Sequence, residues 1–247
     1  MKGIILGIVL AFMYATSYSQ SDGEIIKISK DLELVKLSEH AYIHISYKNV
    51  PKWGRIGANG LLLVDKNKAF LFDSPWTDSL TNELYRWITD SMKLKIIGFI
   101  PNHWHDDCMG GLRFLQQHGI PSFANQMTID IVTSKGLPIP SHGFKDSLTL
   151  KLNKKTIMCY YLGAAHSTDN IVIWIPSEQI LFAGCMIKSI DTQNLGNTAD
   201  GDLISYPQTI DSVRKKFPLA KIVIPGHGKA EGIELITHTK DLTISQH

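Results

Sequence analysis

The segment IIGFIPNHWHDDCMGG, residues 96–111, joins an apolar run to a compact group of polar side chains. His103 and His105 lie two positions apart, so an extended or turning backbone can direct both imidazoles at one ion. Asp107 lies two positions further on and can reach a second ion beside the first. The glycine pair at 110–111 permits close backbone packing where a helix is expected to start. The segment therefore predicts a metal-binding loop at the end of a buried strand.

Three other apolar runs also end in a side chain that can bind a metal. They are 160–165 followed by His166, 180–184 followed by Cys185, and 222–226 followed by His227. Functional sites in α/β proteins gather beyond the carboxyl ends of the strands. We therefore expect all four segments to converge on one edge of the sheets.

The six candidate ligands separate by chemistry into a histidine site of His103, His105 and His166, and a mixed site of Asp107, Cys185 and His227. The three nitrogens of the histidine site would leave one position of a tetrahedral zinc ion open for water. The thiolate of the mixed site favours zinc over magnesium or calcium. Two ions about 3.5–4 Å apart could share one water molecule, whose pKa falls to roughly 7 on zinc. The ligand set thus predicts a hydroxide nucleophile at neutral pH.

The remaining histidines and cysteines are interpreted as structural residues. They are His40, His44, His118, His142, His238 and His247, with Cys108 and Cys159. A lone histidine or buried cysteine is more often part of the core or the surface than a ligand. Cys185 alone would be interpreted in the same way, and only its place beside the other candidates favours metal binding.

Length and charge limit the classes of protein that fit. The chain has 247 residues, of which 44% are hydrophobic and 19% charged, which suits one domain with a substantial core. The net charge is only +2. Nucleic-acid binding and membrane-surface binding need clustered lysine and arginine, so neither is expected.

Residues 1–19 have the pattern of a cleaved signal peptide. Lys2 supplies the positive end, residues 4–13 the short apolar stretch, and small residues follow where cleavage is expected. The stretch is too short to favour a transmembrane helix, and no cysteine is placed for a lipid anchor. We therefore expect residues 20–247 to form a single exported domain in the periplasm. Exported cysteines usually pair, and a thiol bound to metal would account for the odd count of three.

The hydrophobic pattern predicts an α/β fold with two sheets lying between helices. Residues 24–75 show the alternation of strands, interrupted at 49–59 by an expected hairpin loop, and a helix is expected over 77–92. The later predictions are strands at 95–100, 122–124, 147–152, 156–162, 170–175, 179–182 and 221–224, helices at 110–118, 127–134, 206–217 and 231–241, and a loop at 136–143. Two β-rich halves that each end in β/α units indicate two sheets sandwiched between helices.

Five motifs together resemble the metallo-β-lactamase superfamily, most closely its class B β-lactamases of the broad-spectrum, two-zinc subclass. They are NHWHDDCMGG at 102–111, GAAHSTDN at 163–170, GCMIK at 184–188, LGN at 195–197 and PGHG at 225–228. The resemblance implies a four-layer αββα sandwich, two zinc ions per chain, and hydrolysis of the β-lactam amide bond by a zinc-bound hydroxide. It further implies action on penicillins, cephalosporins and carbapenems, antibiotic resistance, and a monomer whose partner is a small-molecule β-lactam.

Three positions favour the β-lactamases over their relatives. Glyoxalase II-like and RNase Z-like members have a histidine where this chain has Cys108, and a bridging aspartate where it has Cys185. The one-zinc carbapenemase subclass has an asparagine in place of His103, and the third subclass lacks the cysteine ligand.

The resemblance also implies roles for residues outside the ligand set. Lys188 would bind the substrate carboxylate, and Asn197 would polarise the lactam carbonyl. Trp53 would lie on a flexible hairpin over the substrate. Asp73 would be a buried carboxylate beneath the zinc ions that orients the ligands of the mixed site. Asp107 would assist proton transfer as well as binding metal.

Two alternatives remain open. The first is another hydrolase of this fold, acting on a thioester, a lactone or a phosphodiester, and Cys108 and Cys185 argue against it. The second is a non-enzymatic periplasmic zinc-binding protein. Sites of three ligands with an open position argue against the second, because structural zinc is normally four-coordinate and closed.

Overall fold

A computed structural model describes residues 23–245, so the expected signal peptide lies outside the described residues. The strands are β1 (Ile25–Ser29), β2 (Leu32–Lys36), β3 (Ala41–Val50), β4 (Gly54–Asp65), β5 (Lys68–Phe72), β6 (Lys95–Ile100), β7 (Phe123–Asn125), β8 (His142–Phe144), β9 (Ser147–Leu152), β10 (Lys155–Tyr160), β11 (Val172–Ile175), β12 (Ile180–Gly184) and β13 (Ile222–Pro225). The helices are α1 (Asp78–Arg86), α2 (Asp106–Met109), α3 (Leu112–Gln117), α4 (Gln126–Ser134), α5 (Tyr206–Lys216) and α6 (Glu234–Ser245).

The strands form two large sheets. The first has the order β1-β2-β3-β4-β5-β6 and the second the order β13-β12-β11-β10-β9, while β7 and β8 make a short separate pair. In each large sheet one pair is parallel, β5 with β6 and β12 with β13, and the other neighbours are antiparallel. The parallel pairs bring the carboxyl ends of their strands to a common edge, as expected for the ligand-bearing segments.

Three apolar clusters lie between four layers. Phe72 of β5 and Phe182 of β12 are fully buried in the cluster between the two sheets. Leu84 of α1 belongs to a second cluster, on the outer face of the first sheet. Ile210 of α5 belongs to a third, on the outer face of the second sheet. Helices therefore cover both outer faces, and the predicted four-layer αββα sandwich is confirmed.

The hairpin between β3 and β4 is longer and its turn tighter than the sequence indicated. The expected loop at 49–59 is wrong, because the ladder continues through the pairs Lys48–Ile56 and Val50–Gly54 and leaves only 51–53 as the turn. Proline and glycine suggested a loop there, but cross-strand pairing outweighed that local signal. Trp53 lies at the tip with 56% of its surface exposed.

Two of the predicted helices are interrupted. The helix expected at 110–118 begins earlier, as α2, and breaks before α3. At the break the backbone of Gly110 lies so close to Trp76 that a Cβ would lie 2.1 Å from its carbonyl oxygen. The helix expected at 77–92 ends as α1 and continues as a π-helical turn, Trp87–Ser91. Its start is as predicted, since the Thr77 side chain accepts a hydrogen bond from the backbone N–H of Leu80.

The segment 136–143 differs from its prediction at one end. It was expected to be a loop throughout, yet β8 begins at His142 and pairs in parallel with β7. A three-residue strand has no readable alternation, so only the distant partner strand determines it. The other helices and strands lie within a few residues of their predicted positions. Over residues 23–245, no helix has both the length and the apolar character needed to cross a membrane.

Candidate metal centre

The loop between β6 and α2 directs two imidazoles at one point. The Asp73 carboxylate accepts a hydrogen bond from the backbone N–H of Asn102 and so fixes the start of the loop. His105 has extended backbone angles immediately before α2, and His103 is fully buried. His103 Nε2 lies 2.9 Å from His105 Nδ1. Two ring nitrogens this close can bind one ion.

His166, which follows β10, completes the histidine site. Its ring centroid lies 5.0 Å from that of His103 and 5.4 Å from that of His105. Both of its ring nitrogens are buried and make no hydrogen bond within the part of the chain that the structure describes. Buried polar atoms normally have a partner, so this imidazole has the environment of a ligand.

The mixed site is a compact triangle of three different donor atoms. Asp107 Oδ2 lies 3.2 Å from His227 Nε2 and 3.4 Å from Cys185 Sγ. Cys185 Sγ lies 3.4 Å from His227 Nε2. The segments that follow β6, β12 and β13 therefore each bring one donor to the same point.

The two sites adjoin. Ligand atoms of His103, His166 and Cys185 all lie within 4.8 Å of one another, as do those of Asp107, Cys185 and His227. Asp107 Oδ1 lies 3.8 Å from His103 Nε2. The structure thus brings together all six predicted ligands, with Cys185 common to both groups.

Burial and neighbouring charges set the protonation states. Burial lowers the pKa of His103 to about 3, and it lowers the pKa of His166 well below its usual value, so both imidazoles are neutral. Burial alone would raise the pKa of Asp107, but the hydrogen bond from His227 and the nearby histidine charges hold it well below its usual range. Neutral imidazole and ionised carboxylate are the forms that bind metal ions.

Cys185 differs from the histidine and aspartate ligands in that its metal-free side chain is in the protonated form, which does not bind metal. Burial, and then the charge of Asp107, raise the pKa of Cys185 well above that of a free thiol. A metal ion would reverse this, because a coordinating thiol is deprotonated outright. The donor set fits a cation: Asp107 Oδ1 is buried without a hydrogen-bond partner among the described residues, and nitrogen and sulfur donors together suit zinc.

Contacts from the first sheet orient His227. Its Nδ1 donates to the carbonyl oxygen of Gly57 at 2.8 Å, so Nε2, which faces the mixed site, is the nitrogen that would bind a metal after releasing the proton that it shares with Asp107. Glycine precedes it at position 226, where a Cβ would lie 2.3 Å from Cys185 Sγ. The approach of β13 to the thiol therefore requires glycine at this position.

Asp73 lies beneath the centre and touches it through a cysteine. Its carboxylate accepts hydrogen bonds from Asn102 N–H and the Cys108 thiol, and burial raises its pKa well above the usual value. Cys108 Sγ in turn lies 3.2 Å from His103 Nδ1. These hydrogen bonds lead to the histidine site, and Asp107 and His227 of the mixed site are also near enough to shift the pKa of Asp73.

The three residues implied in substrate binding lie in different environments. Lys188 is buried close to the centre, and burial lowers its pKa against the opposing charges of Cys185 and Asp107. Asn197 is exposed, and its side-chain oxygen accepts a hydrogen bond from the backbone of Ala199 at 3.2 Å. Trp53 remains exposed at the hairpin tip.

One carboxylate at the site was not found from the sequence. Asp200 Oδ2 accepts a hydrogen bond from His105 Nε2 at 2.9 Å, which leaves Nδ1 as the nitrogen that faces a metal. Nothing in the local pattern marks Asp200, since it lies in a polar loop after Asn197. A histidine ligand usually has such a partner, so the sequence indicated that some acid would lie near His105 but not which one.

Comparison with known proteins agrees with this geometry. The chain is 46% identical over 242 residues to a metallo-β-lactamase type 2 of Bacteroides fragilis, covering 98% of this chain and 96% of the relative. A metallo-β-lactamase type 2 of Pseudomonas aeruginosa is 32% identical, covering 85% of this chain and 83% of the relative. No protein-family model matches the chain.

Solved structures give the same result. A metallo-β-lactamase from Pontibacter korlensis superimposes with a TM-score of 0.84 at 34% identity, covering 87% of this chain and 100% of the other. The resemblance, the fold and the enzyme class predicted from the sequence are thereby confirmed. The chain belongs to the metallo-β-lactamase family and is a hydrolase of the β-lactam amide bond.

Proposed function

We propose that the chain hydrolyses penicillins, cephalosporins and carbapenems with two zinc ions, and so confers antibiotic resistance. One ion would bind the histidine site and the other the mixed site. The observation that carries this proposal is the triangle of Asp107, Cys185 and His227 beside the histidine site. A carboxylate, a thiol and an imidazole within 3.4 Å of one another make an unusual group for a protein interior unless a cation joins them.

The ligands divide the chemical tasks between them. When bound, two zinc ions would lower the pKa of water so that a nucleophile is available at neutral pH, and would stabilise negative charge on the substrate. Asp107 Oδ2 faces Cys185 and His227, which leaves Oδ1 without a hydrogen-bond partner among the described residues. Oδ1 is therefore the atom placed to hold and return a proton. The low pKa of Asp107 makes it a weak base, so this contribution is small.

Lys188 would hold the substrate. Its ammonium lies on a buried segment beside the mixed site, where a carboxylate would compensate the cost of burying its charge. Asn197 would donate its amide N–H to the lactam carbonyl, since only its oxygen is engaged by Ala199. Trp53, exposed at the hairpin tip, would cover apolar groups of the bound substrate.

The pattern of residues 1–19 supports a proposal for the cellular compartment. We propose that residues 1–19 are a cleaved signal peptide and that residues 20–247 act in the periplasm as a single-domain monomer. The support is the charged, apolar and small-residue pattern of that segment. Sequencing the amino terminus of protein recovered from the periplasm would test cleavage, and light scattering would test the monomer.

A β-lactam panel tests the proposed reaction. Purified protein is assayed with a penicillin, a cephalosporin and a carbapenem, with and without EDTA, and its zinc content is measured. We expect hydrolysis of each, loss of activity on chelation, recovery on adding zinc, and close to two zinc ions per chain. S-lactoylglutathione serves as the control substrate for the thioesterase alternative.

Each result bears on a different part of the proposal. Hydrolysis that resists EDTA would contradict the metal requirement. Faster cleavage of S-lactoylglutathione than of any β-lactam would favour a thioesterase. Zinc binding without cleavage of any substrate would favour a zinc-binding protein, and inactivity towards the carbapenem alone would narrow the substrate range.

A further inference from the structure

The segment after β12 carries two functional side chains on an irregular backbone. Cys185 lies in a tight turn, in which the Ile187 N–H donates to the Gly184 carbonyl at 3.1 Å, and Lys188 follows directly. The whole segment 185–189 is buried. Outside a strand or helix, its buried peptide groups need partners from elsewhere in the protein.

Two helices supply those partners through hydroxyl groups. The Tyr206 hydroxyl, on the first turn of α5, donates to the carbonyl oxygen of Met186 at 2.8 Å and lies 3.5 Å from that of Cys185. The Thr239 hydroxyl, in the middle of α6, accepts from the backbone N–H of Lys188 at 2.8 Å. Both residues are fully buried, so bulk water does not compete for either hydrogen bond.

The hydrogen bonds lie at opposite ends of the segment. Tyr206 acts on the turn that holds the thiol, and Thr239 acts on the peptide that holds the lysine. The Thr239 hydroxyl also donates to the carbonyl of Leu235, which fixes its own orientation. His238, beside Thr239, lies with its Nε2 2.9 Å from the carbonyl oxygen of Thr192, so α6 also contacts the loop that follows the segment.

We propose that Tyr206 and Thr239 are positioning residues that fix, from two different helices, the distance between the metal-binding thiol of Cys185 and the substrate-binding ammonium of Lys188. This rests on the proposed roles of those two residues. Neither hydroxyl touches metal or substrate, so each acts only through the backbone that it holds. Loss of the Tyr206 hydrogen bond should therefore lower metal affinity, and loss of the Thr239 hydrogen bond should lower substrate affinity.

Cobalt(II) titration tests the Tyr206 end. Metal-free full-length protein is titrated with cobalt, and the thiolate-to-cobalt absorption reports binding at Cys185. We expect Tyr206→Phe, which keeps the ring and removes only the hydroxyl, to need about 10-fold more cobalt, as for other partners that orient ligands. Tyr160→Phe is the matched control, because among the described residues the hydroxyl of Tyr160 has only a weak contact, 3.8 Å from the thioether of Met158.

Steady-state kinetics tests the Thr239 end. Thr239→Val is isosteric and leaves the Lys188 N–H without an acceptor. We expect its KM for a cephalosporin to rise about fivefold, as for one lost hydrogen bond, with kcat and the cobalt titration nearly unchanged. Thr239→Ser, which restores the hydroxyl, is expected to recover the KM.

The outcomes separate this inference from the proposed function. A wild-type protein without thiolate absorption would contradict the role of Cys185 itself. A wild-type protein with that absorption, beside a Tyr206→Phe variant that titrates identically, would overturn the positioning role. Equal loss of both readouts in both variants would show general destabilisation instead. Should Tyr206→Phe fail to fold, 4-aminophenylalanine at position 206 restores a donor, and wild-type titration is expected.

Discussion

Asp200 Oδ2 lies 2.9 Å from His105 Nε2, and the two residues are 95 positions apart in the chain. Because a carboxylate can only accept, the hydrogen bond places the proton on Nε2 and leaves Nδ1 to face His103 Nε2. A carboxylate behind a histidine ligand also makes the imidazole more basic. The loop after β12 thereby orients a histidine of the histidine site, in addition to carrying Cys185, whose thiol lies within reach of both groups of ligands.

Removal of that charge should weaken metal binding. We expect Asp200→Asn to raise the dissociation constant of zinc at the histidine site about tenfold, as measured by competition with a chromophoric chelator. Asp191→Asn, an exposed aspartate in the same loop, is the control. Unchanged affinity in Asp200→Asn would show that the hydrogen bond does not tune the site.

Replacement of the thiol should separate folding from activity. We expect Cys185→Ser to keep its fold by circular dichroism, yet to lose about 100-fold or more in kcat/KM, because a serine hydroxyl does not ionise to bind metal. Cys159→Ala is the control, since that thiol is buried in the core between the sheets. Near-normal turnover of Cys185→Ser at limiting zinc would contradict the mixed site.

Neutralising the buried lysine should affect substrate binding selectively. We expect Lys188→Gln to raise KM about 10- to 100-fold for a β-lactam that carries a free carboxylate, the range of one charge-assisted hydrogen bond. The methyl ester of the same β-lactam should show little difference between variant and wild type. Lys229→Gln, exposed beside His227, is the control. Equal effects on acid and ester would argue against a carboxylate contact.

His44 should make the fold sensitive to acid. It is buried on β3, donates from Nε2 to the Asp73 carbonyl at 3.1 Å, and burial lowers its pKa from 6.5 to about 4. Below pH 6.5 His44 binds a proton in the unfolded chain but stays neutral in the folded chain. The free energy of unfolding therefore falls as the pH falls. With about 1.36 kcal/mol per pKa unit, roughly 3 kcal/mol is lost between pH 7 and pH 4.

The test compares unfolding free energies of metal-free proteins across that range. His44→Gln can still donate to the Asp73 carbonyl but does not titrate, so its curve should fall by roughly 3 kcal/mol less than that of the wild type. His142→Gln, an exposed histidine of β8, is the control and should follow the wild type. Parallel curves for His44→Gln and wild type would contradict a depressed pKa.

Much of the architecture was readable from the chain because its signals are local. Apolar runs such as 96–100 and 180–184 predicted strands, and a polar donor directly after each predicted where the ligands would meet. Besides the two interrupted helices, the predictions failed at 49–59, where pairing within the β3–β4 hairpin outweighed the signals of proline and glycine, and at 136–143, where β8 pairs with β7.

The sequence by itself determined the family, and it predicted six candidate ligands and their division into two chemical groups. Only the tertiary structure decided what orients them: Asp200 behind His105, the Gly57 carbonyl behind His227, and Cys108 behind His103. The physical reason is that donor chemistry and strand periodicity are written within a few neighbouring residues. An orienting hydrogen bond joins atoms that folding brings together from distant positions, so no period or spacing in the sequence predicts it.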